Sequence, residues 1–342
     1  MKTLCITASL LLAGLNTAFA QLSETDKIKT SLTIDNADTV AWLRSGVVQL
    51  GFNEGFLHNW AAGGEVVSLA VDGLLSGNIT RLYHKQVWSN SIDASYSLFY
   101  AYSNHFVPRK VDDRLDITSK YGVRIDGKKH YYFTGLFNFK SQFTRGYDYS
   151  VPDWQTFSTS NFMSPGYFTL ASGIEFRSGS DLSVFFSPIA LRLTVADKKY
   201  TNRLPEGAFG VANGKQSRLE LGAYFTARYA HDLSHIVRYK TRLDLYSNYL
   251  AKDKKDSLGN VVKRDNPGNI DVFWDNLITV RLGKYFNLNL SLTAIYDNDI
   301  PYDKDYIDTA SGTVRKKDEP GTDLGWWQVK EVMSFGFAYK FH

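Results

Sequence analysis

From Phe286 the chain alternates with period two. Phe286, Leu288, Leu290, Leu292, Ala294 and Tyr296 fall on one side, and Asn287, Asn289, Ser291 and Thr293 on the other. Successive side chains of a strand point to opposite faces, so the pattern predicts a strand with one apolar and one polar face. It recurs from Arg218, where Leu219, Leu221, Ala223, Phe225, Ala227 and Tyr229 oppose Arg218, Glu220, Tyr224, Thr226 and Arg228. It recurs again from Val237, where Val237, Tyr239, Thr241, Leu243 and Leu245 oppose Arg238, Lys240, Arg242 and Asp244. In 269–282, Ile270, Val272, Trp274, Ile278 and Val280 oppose Asp271, Asp275, Thr279 and Arg281. Such strands run to about ten residues or more, longer than the usual five or six of soluble sheets. A tilted strand needs about nine to eleven residues to cross a bilayer.

The connections alternate in size. Tight turns are expected near Tyr83-His84-Lys85, Asp126-Gly127-Lys128, Arg177-Ser178-Gly179-Ser180, Ala230-His231-Asp232 and Gly283-Lys284. Longer polar segments lie between them, at 54–64, 105–113, 146–165, 197–216, 251–267 and 297–325. Membrane barrels combine short periplasmic turns with long extracellular loops. The spacing predicts twelve strands, beginning near Val47, Val66, Val87, Arg114, His130, Gly166, Leu182, Arg218, Ile236, Asn269, Phe286 and Gln328. Ser187-Pro188 interrupts the seventh, and proline donates no ladder hydrogen bond, so a bulge is expected there. Lipid cannot satisfy a free sheet edge, which forces such a sheet to close. The fold class is therefore all-β, a transmembrane antiparallel β-barrel of about twelve strands. The soluble alternative, a large β-sandwich or a lipocalin-like protein, fits the strand length and the outward Trp and Tyr at strand ends less well.

Composition agrees: aromatics reach 15% while mean hydropathy is −0.26. Lys and Arg number 39 against 35 acids, a net charge of +4 with no basic block that would mark a nucleic-acid surface. The first twenty residues read as an export signal, with Lys2, a short apolar run from Leu4 to Leu15, and Ala18-Phe19-Ala20 before the cleavage point. The single cysteine, Cys5, lies inside it, so the remainder carries no thiol chemistry. The expected organisation is a signal peptide over 1–20, a short periplasmic segment over 21–43 and an outer-membrane barrel over 44–342.

At the other end, Met333, Phe335, Phe337, Tyr339 and Phe341 alternate with Ser334, Gly336, Ala338 and Lys340. The spacing of Ser334, Gly336, Tyr339 and Phe341 resembles the terminal signal read by the barrel assembly machinery. His342 departs from it, because that signal ends on its aromatic residue.

Several motifs occur in order: Asn59-Trp60-Ala61-Ala62-Gly63-Gly64 with Ser68, Asp112-Asp113-Arg114-Leu115-Asp116 with Ser119-Lys120-Tyr121-Gly122, and Phe137-Asn138-Phe139-Lys140-Ser141-Gln142-Phe143. Gly207-Ala208-Phe209-Gly210-Val211 and Leu243-Asp244-Leu245-Tyr246-Ser247-Asn248-Tyr249-Leu250 follow. Together they resemble the outer-membrane proteins of the Bacteroidetes grouped as domain of unknown function 3078, over about Trp42 to Phe341. The resemblance implies a barrel in the outer membrane, in contact with its lipid. It implies no activity, so no catalytic residue is carried over.

Sites of chemistry are few. The seven histidines make no H-E-x-x-H, and no G-x-S-x-G is present. A barrel phospholipase would need a Ser and a His on one strand face. His84, His130, His231, His235 and His342 read instead as turn residues. His105 near Asp112 and Asp113 has the residue types of an omptin-like protease, although such pairs are common by chance. Asp297, Asp299, Asp303, Asp305 and Asp308 offer oxygen ligands for Ca²⁺ but lack an EF-hand order, so a solvated acidic loop is the simpler reading. No cofactor, metal or catalytic residue is expected.

The inward charges carry the functional expectation. They are Lys120, Arg124, Lys140, Arg218, Glu220, Arg228, Arg238, Lys240, Arg242, Asp244, Asp271, Asp275 and Arg281. On the lipid face each Arg or Lys would cost about 2–4 kcal/mol at midplane, so they are assigned to the lumen. There they either line a path that binds or passes a small polar solute, or pair with one another and fill a plugged barrel that acts through its loops. A barrel hydrolase is a distant third.

Overall fold

The computed structural model describes residues 40–56, 67–125, 127–149, 153–178, 181–203, 207–252, 254–255, 261–263, 266–297, 306–307, 314–315 and 327–341. Twelve long strands form one closed antiparallel barrel. They are β1 (Ala41–Phe56), β2 (Val67–Tyr83), β3 (Gln86–Ala101), β4 (Arg109–Arg124), β5 (Tyr131–Ser141) and β6 (Gly166–Ser178). β7 (Leu182–Val195), β8 (Ser217–Asp232), β9 (Val237–Asn248), β10 (Ile270–Arg281), β11 (Phe286–Tyr296) and β12 (Trp327–Phe341) complete the ring. Each strand pairs with its sequence neighbour, and β12 returns to β1 with Gly46 opposite Phe341 and Gly51 opposite Gly336. No edge is left open. The shortest barrel strands have 11 residues. At about 3.3 Å per residue and about 40° tilt, such a strand rises about 28 Å, enough for an apolar band of about 25 Å.

The two faces sort as the alternation requires. Leu50, Phe52, Phe133, Leu170, Phe186, Leu219, Met333 and Phe337 stand exposed on the outside, while Gln49, Thr134, Glu175 and Thr226 are buried within. A wall that is apolar outside and polar inside is that of a barrel spanning a membrane. Inside, Leu136, Ala171, Phe185, Ala190, Tyr224 and Tyr246 make a small apolar cluster.

The bulge expected at Ser187-Pro188 is present. Ser172 faces Ile189 and Ile174 faces Phe186, so one residue of β6, Gly173, spans two of β7. On the other side the register shifts between Gly222 and Tyr224. The bulge draws β7 onto β6 so closely that a Cβ on Gly173 would lie 2.0 Å from the Phe186 carbonyl oxygen. Only glycine fits there.

Three boundaries differ from the sequence reading. β1 starts at Ala41, so Ala41 to Leu43 pair with Leu82 to Thr80 and lie in the wall, ahead of the boundary expected at 44. β4 starts at Arg109, so Asp112 and Asp113 belong to a strand and not to a loop. The pattern failed there because the ladder is irregular between Ser97 and Leu98 and the inside-outside alternation slips. Ala230, His231 and Asp232 are also strand; the turn is 233–236.

The short connections share one end of the barrel with Ala41 and Phe341; we call it the turn end. The long connections sit at the other, the loop end. They hold a short hairpin (Gly146–Tyr147 with Ser158–Ser160), a helix α1 (Lys198–Thr201) and two further strand pairs, Lys254–Lys255 with Val261–Lys263 and Tyr306–Ile307 with Val314–Arg315. The expected signal peptide, the segment 21–39, the motif 59–64 and the acidic positions 299, 303, 305 and 308 lie outside the described residues.

Candidate functional site

The lumen is where the predicted charges meet. At mid-height Arg242 on β9 reaches Asp116 on β4 at 2.7 Å and its own neighbour Asp244 at 2.7 Å. Lys140 on β5 bonds Asp244 at 3.0 Å from another side. Asn138 donates to Asp116 at 2.6 Å. Arg114 on β4 pairs with Asp275 on β10 at 3.1 Å. In a ring of twelve, β4 and β10 are six strands apart, so this bridge runs from one wall to the opposite one. Removing charges from water is costly unless geometry and further hydrogen bonds compensate, and here each buried carboxylate has two or more donors. Lys140 also lies 4.1 Å over the Phe273 ring, and a cation over a ring face is attracted by its quadrupole.

Toward the loop end, Arg192 pairs with Asp271 at 2.6 Å and stacks 3.6 Å over Tyr246. Arg218 bonds Glu220 at 2.9 Å, and Asn248 donates to the same carboxylate at 2.8 Å. Lys330 on β12 reaches across to Asp112 on β4. Toward the turn end, Glu175 is fully buried and accepts from Lys120 and Arg177, each at 2.9 Å, and from Ser183 at 2.6 Å. Arg228 donates to two hydroxyls, Thr118 at 3.0 Å and Ser91 at 3.2 Å. Arg281 and Arg238 share Asp232 at 3.2 and 3.9 Å. Lys240 follows Arg238 on the inner face of β9, and half-buried Arg124 closes β4 at its turn end.

Every charged position assigned to the lumen from the alternation therefore lies on an inward register position. Asp112, Arg114, Asp116, Glu175, Arg177, Arg192, Asp232 and Lys330 also join the network and were missed. Glu175 and Arg177 follow the same alternation and were legible. Arg192 was hidden by the bulge: Phe185 is buried inside before it and Ala190 after it, so inward parity changes from odd to even. The omptin-like arrangement is not formed. Asp113 accepts from the backbone N–H of Phe143 at 2.7 Å and of Thr144 at 3.0 Å, and from Lys110 at 2.9 Å, while Asp112 holds Lys330. Two of the histidines expected in turns have simple partners: the His231 ring, which lies in β8, meets Asp181 at 2.8 Å, and the His130 ring meets the Arg177 carbonyl oxygen at 3.0 Å.

Of the terminal signal, Ser334 and Gly336 face inward, where Ser334 accepts from Gln49 at 3.2 Å, and Tyr339 is exposed outside. Phe341 ends β12; its side chain lies outside the described set.

No curated protein sequence matches the chain. Among solved structures it aligns with the translocator domain of the autotransporter NalP from Neisseria meningitidis, at 11% identity and a TM-score of 0.32, covering 95% of this chain and 97% of that one. It also aligns with an outer membrane channel from Pseudomonas putida F1, at 7% identity and a TM-score of 0.33, covering 90% of this chain and 98% of that one. Over residues 52–147 the chain matches the family described as "Protein of unknown function (DUF3078)", the family that its ordered motifs resemble.

Proposed function

We propose that the protein is an outer-membrane barrel whose resting lumen is closed, and that it acts at its loop end as an interaction protein. The observation that carries this reading is the Arg114–Asp275 bridge between opposite walls, with Arg242–Asp116 beside it between strands five apart. A solute would have to break both. The loop end supports the reading because its segments are knit together. Tyr149 accepts from the Lys110 backbone at 2.6 Å, and the buried Tyr200 hydroxyl lies 3.1 Å from the Ser158 hydroxyl. This leaves Phe157 and Phe162 at least half exposed, and exposed aromatics make good partner contacts. The reading includes no catalytic step.

Planar-bilayer recording tests it. The purified, folded native barrel should show no stepwise conductance and no sugar uptake into liposomes. Reproducible steps from the native protein would overturn it in favour of the second reading, passage of a small polar solute. That reading draws on the excess of cations over carboxylates at the turn end.

A further inference from the structure

We propose that the turn-side half of the lumen binds an oxyanion of the phosphate class, held by Arg228 and Lys240. The proposal stands on the inward register of these strands and holds whether the lumen is closed or open.

Charge bookkeeping below the mid-height belt is lopsided. Lys120 and Arg177 share Glu175, and Arg238 and Arg281 share Asp232. Each carboxylate already serves two cations. Arg228 and Lys240 form no ion pair with either; they stand one diagonal step apart on β8 and β9, since Arg228 faces Arg242 and Ala230 faces Lys240, and Asp244 and Asp116 of the mid-height belt act on Arg228 from a greater distance. The carboxylate that acts on Lys240 is Asp93, which already accepts from Ser76 at 2.7 Å. Arg228 spends its hydrogen bonds on neutral hydroxyls, and its Nε is buried without a partner. A guanidinium is a planar fork matched to two oxygens of a carboxylate or phosphate, so hydroxyl partners leave most of its bonding capacity unused.

Like charges on neighbouring inward positions repel unless an anion offsets them, and a low-dielectric wall strengthens the repulsion. Among the described residues, Lys120, Arg177, Arg228, Arg238, Lys240 and Arg281 stand over Glu175, Asp232 and Asp93, with Arg124 at the turn end of β4, so this half of the lumen is an electropositive chamber. The chamber opens to solvent at the turns, where the Arg238 side chain is 37% exposed. Ser91, which accepts from Arg228, has an O–H able to donate to an oxyanion, as the hydroxyls of phosphate sites do. Glu175 and Asp93 also border the chamber and would repel an anion. They favour a ligand seated against β8 and β9, on the side away from Glu175.

Free phosphate and the phosphate of a lipid headgroup share this chemistry. Equilibrium dialysis of the folded full barrel in detergent, with inorganic phosphate and with glycerol 3-phosphate as separate probes, measures both. Saturable, near-stoichiometric binding of at least one probe is expected, and tighter binding of inorganic phosphate would assign the free anion over the headgroup. Arg228→Gln and Lys240→Gln should each weaken it by about tenfold, the loss of one charge-assisted hydrogen-bond partner. Lys198→Gln, on the exposed helix at the loop end, should leave it unchanged. Heat-modifiable migration on gels checks that each variant is folded. Absence of saturable binding by the native barrel would overturn the proposal, as would an equal loss in the Lys198 variant. Conductance is read separately, so a silent barrel that binds phosphate supports this site and leaves the closed reading intact.

Discussion

Gly173 is the residue at which backbone geometry decides most. It lies opposite the bulge, where one residue of β6 must face two of β7, and the space a Cβ needs is occupied by the Phe186 carbonyl. Gly173→Ala must push the strands apart or distort the bulge, and such overpacking costs about 1–3 kcal/mol. Gly135, on the outer side of β5, has nothing within 4 Å of an added Cβ. Gly135→Ala should therefore be close to neutral. Urea unfolding in detergent, followed by tryptophan fluorescence, should show a lower midpoint for Gly173→Ala alone; equal midpoints for the two would refute the close approach. Pro188 announced the bulge in the sequence, because it cannot donate to a ladder. Gly173 gave no such notice, since its role depends on which residue the register places across from the proline.

The strands were legible because each carries its own evidence in the period-two pattern. That pattern placed β11 from Phe286 to Tyr296 and put Arg218, Arg228 and Arg242 on the inner face, as observed. It failed where alternation is broken. The slip opposite Ser97 hid the first five residues of β4, and β8 runs two residues past its expected end at Ala230, to Asp232. At the level of the element, β12 closes the ring and its outward Tyr339 and Phe337 stand exposed on the outer face. Replacing Tyr339 and Phe341 by Asp should block insertion, both through the cost of charge in the apolar band and through loss of the terminal signal. The measure is heat-modifiable barrel in the outer-membrane fraction; normal amounts would contradict it. The connections give a second expectation. Because long loops face outward in barrels of this kind, protease added to intact cells should cut only in segments such as 251–267 and 297–325. Cleavage restricted to the short turns would invert the orientation.

For the whole molecule, the inward charges were legible and their pairing was not. Alternation says that Arg114 and Asp275 both point inward, but not that they meet. That follows from closure at twelve strands, which brings β4 opposite β10, and no local pattern encodes it. The bridge has a consequence for the closed state. Arg114→Asp replaces an attraction across the lumen by repulsion from Asp275, while Arg242–Asp116 and Lys140–Asp244 remain at that height. Losing one partner of a half-buried pair leaves an uncompensated charge behind, at a cost below the roughly 3–5 kcal/mol of a fully buried one. Outward movement of the two side chains toward water relieves that cost and opens the lumen between them. The single variant should therefore conduct in planar bilayers and sensitise cells to a large, polar antibiotic that the outer membrane normally excludes. Asp275→Arg alone, which sets two guanidinium groups against each other, should do the same. The double variant Arg114→Asp with Asp275→Arg restores opposite charges across the same gap and should return both readouts toward the native level. The remaining asymmetry lies with neighbours: Thr293 donates to Asp275 at 2.7 Å and would face an arginine in the swap, so recovery should be partial. A double variant that conducts as freely as either single one would mean that the bridge does not hold the lumen shut.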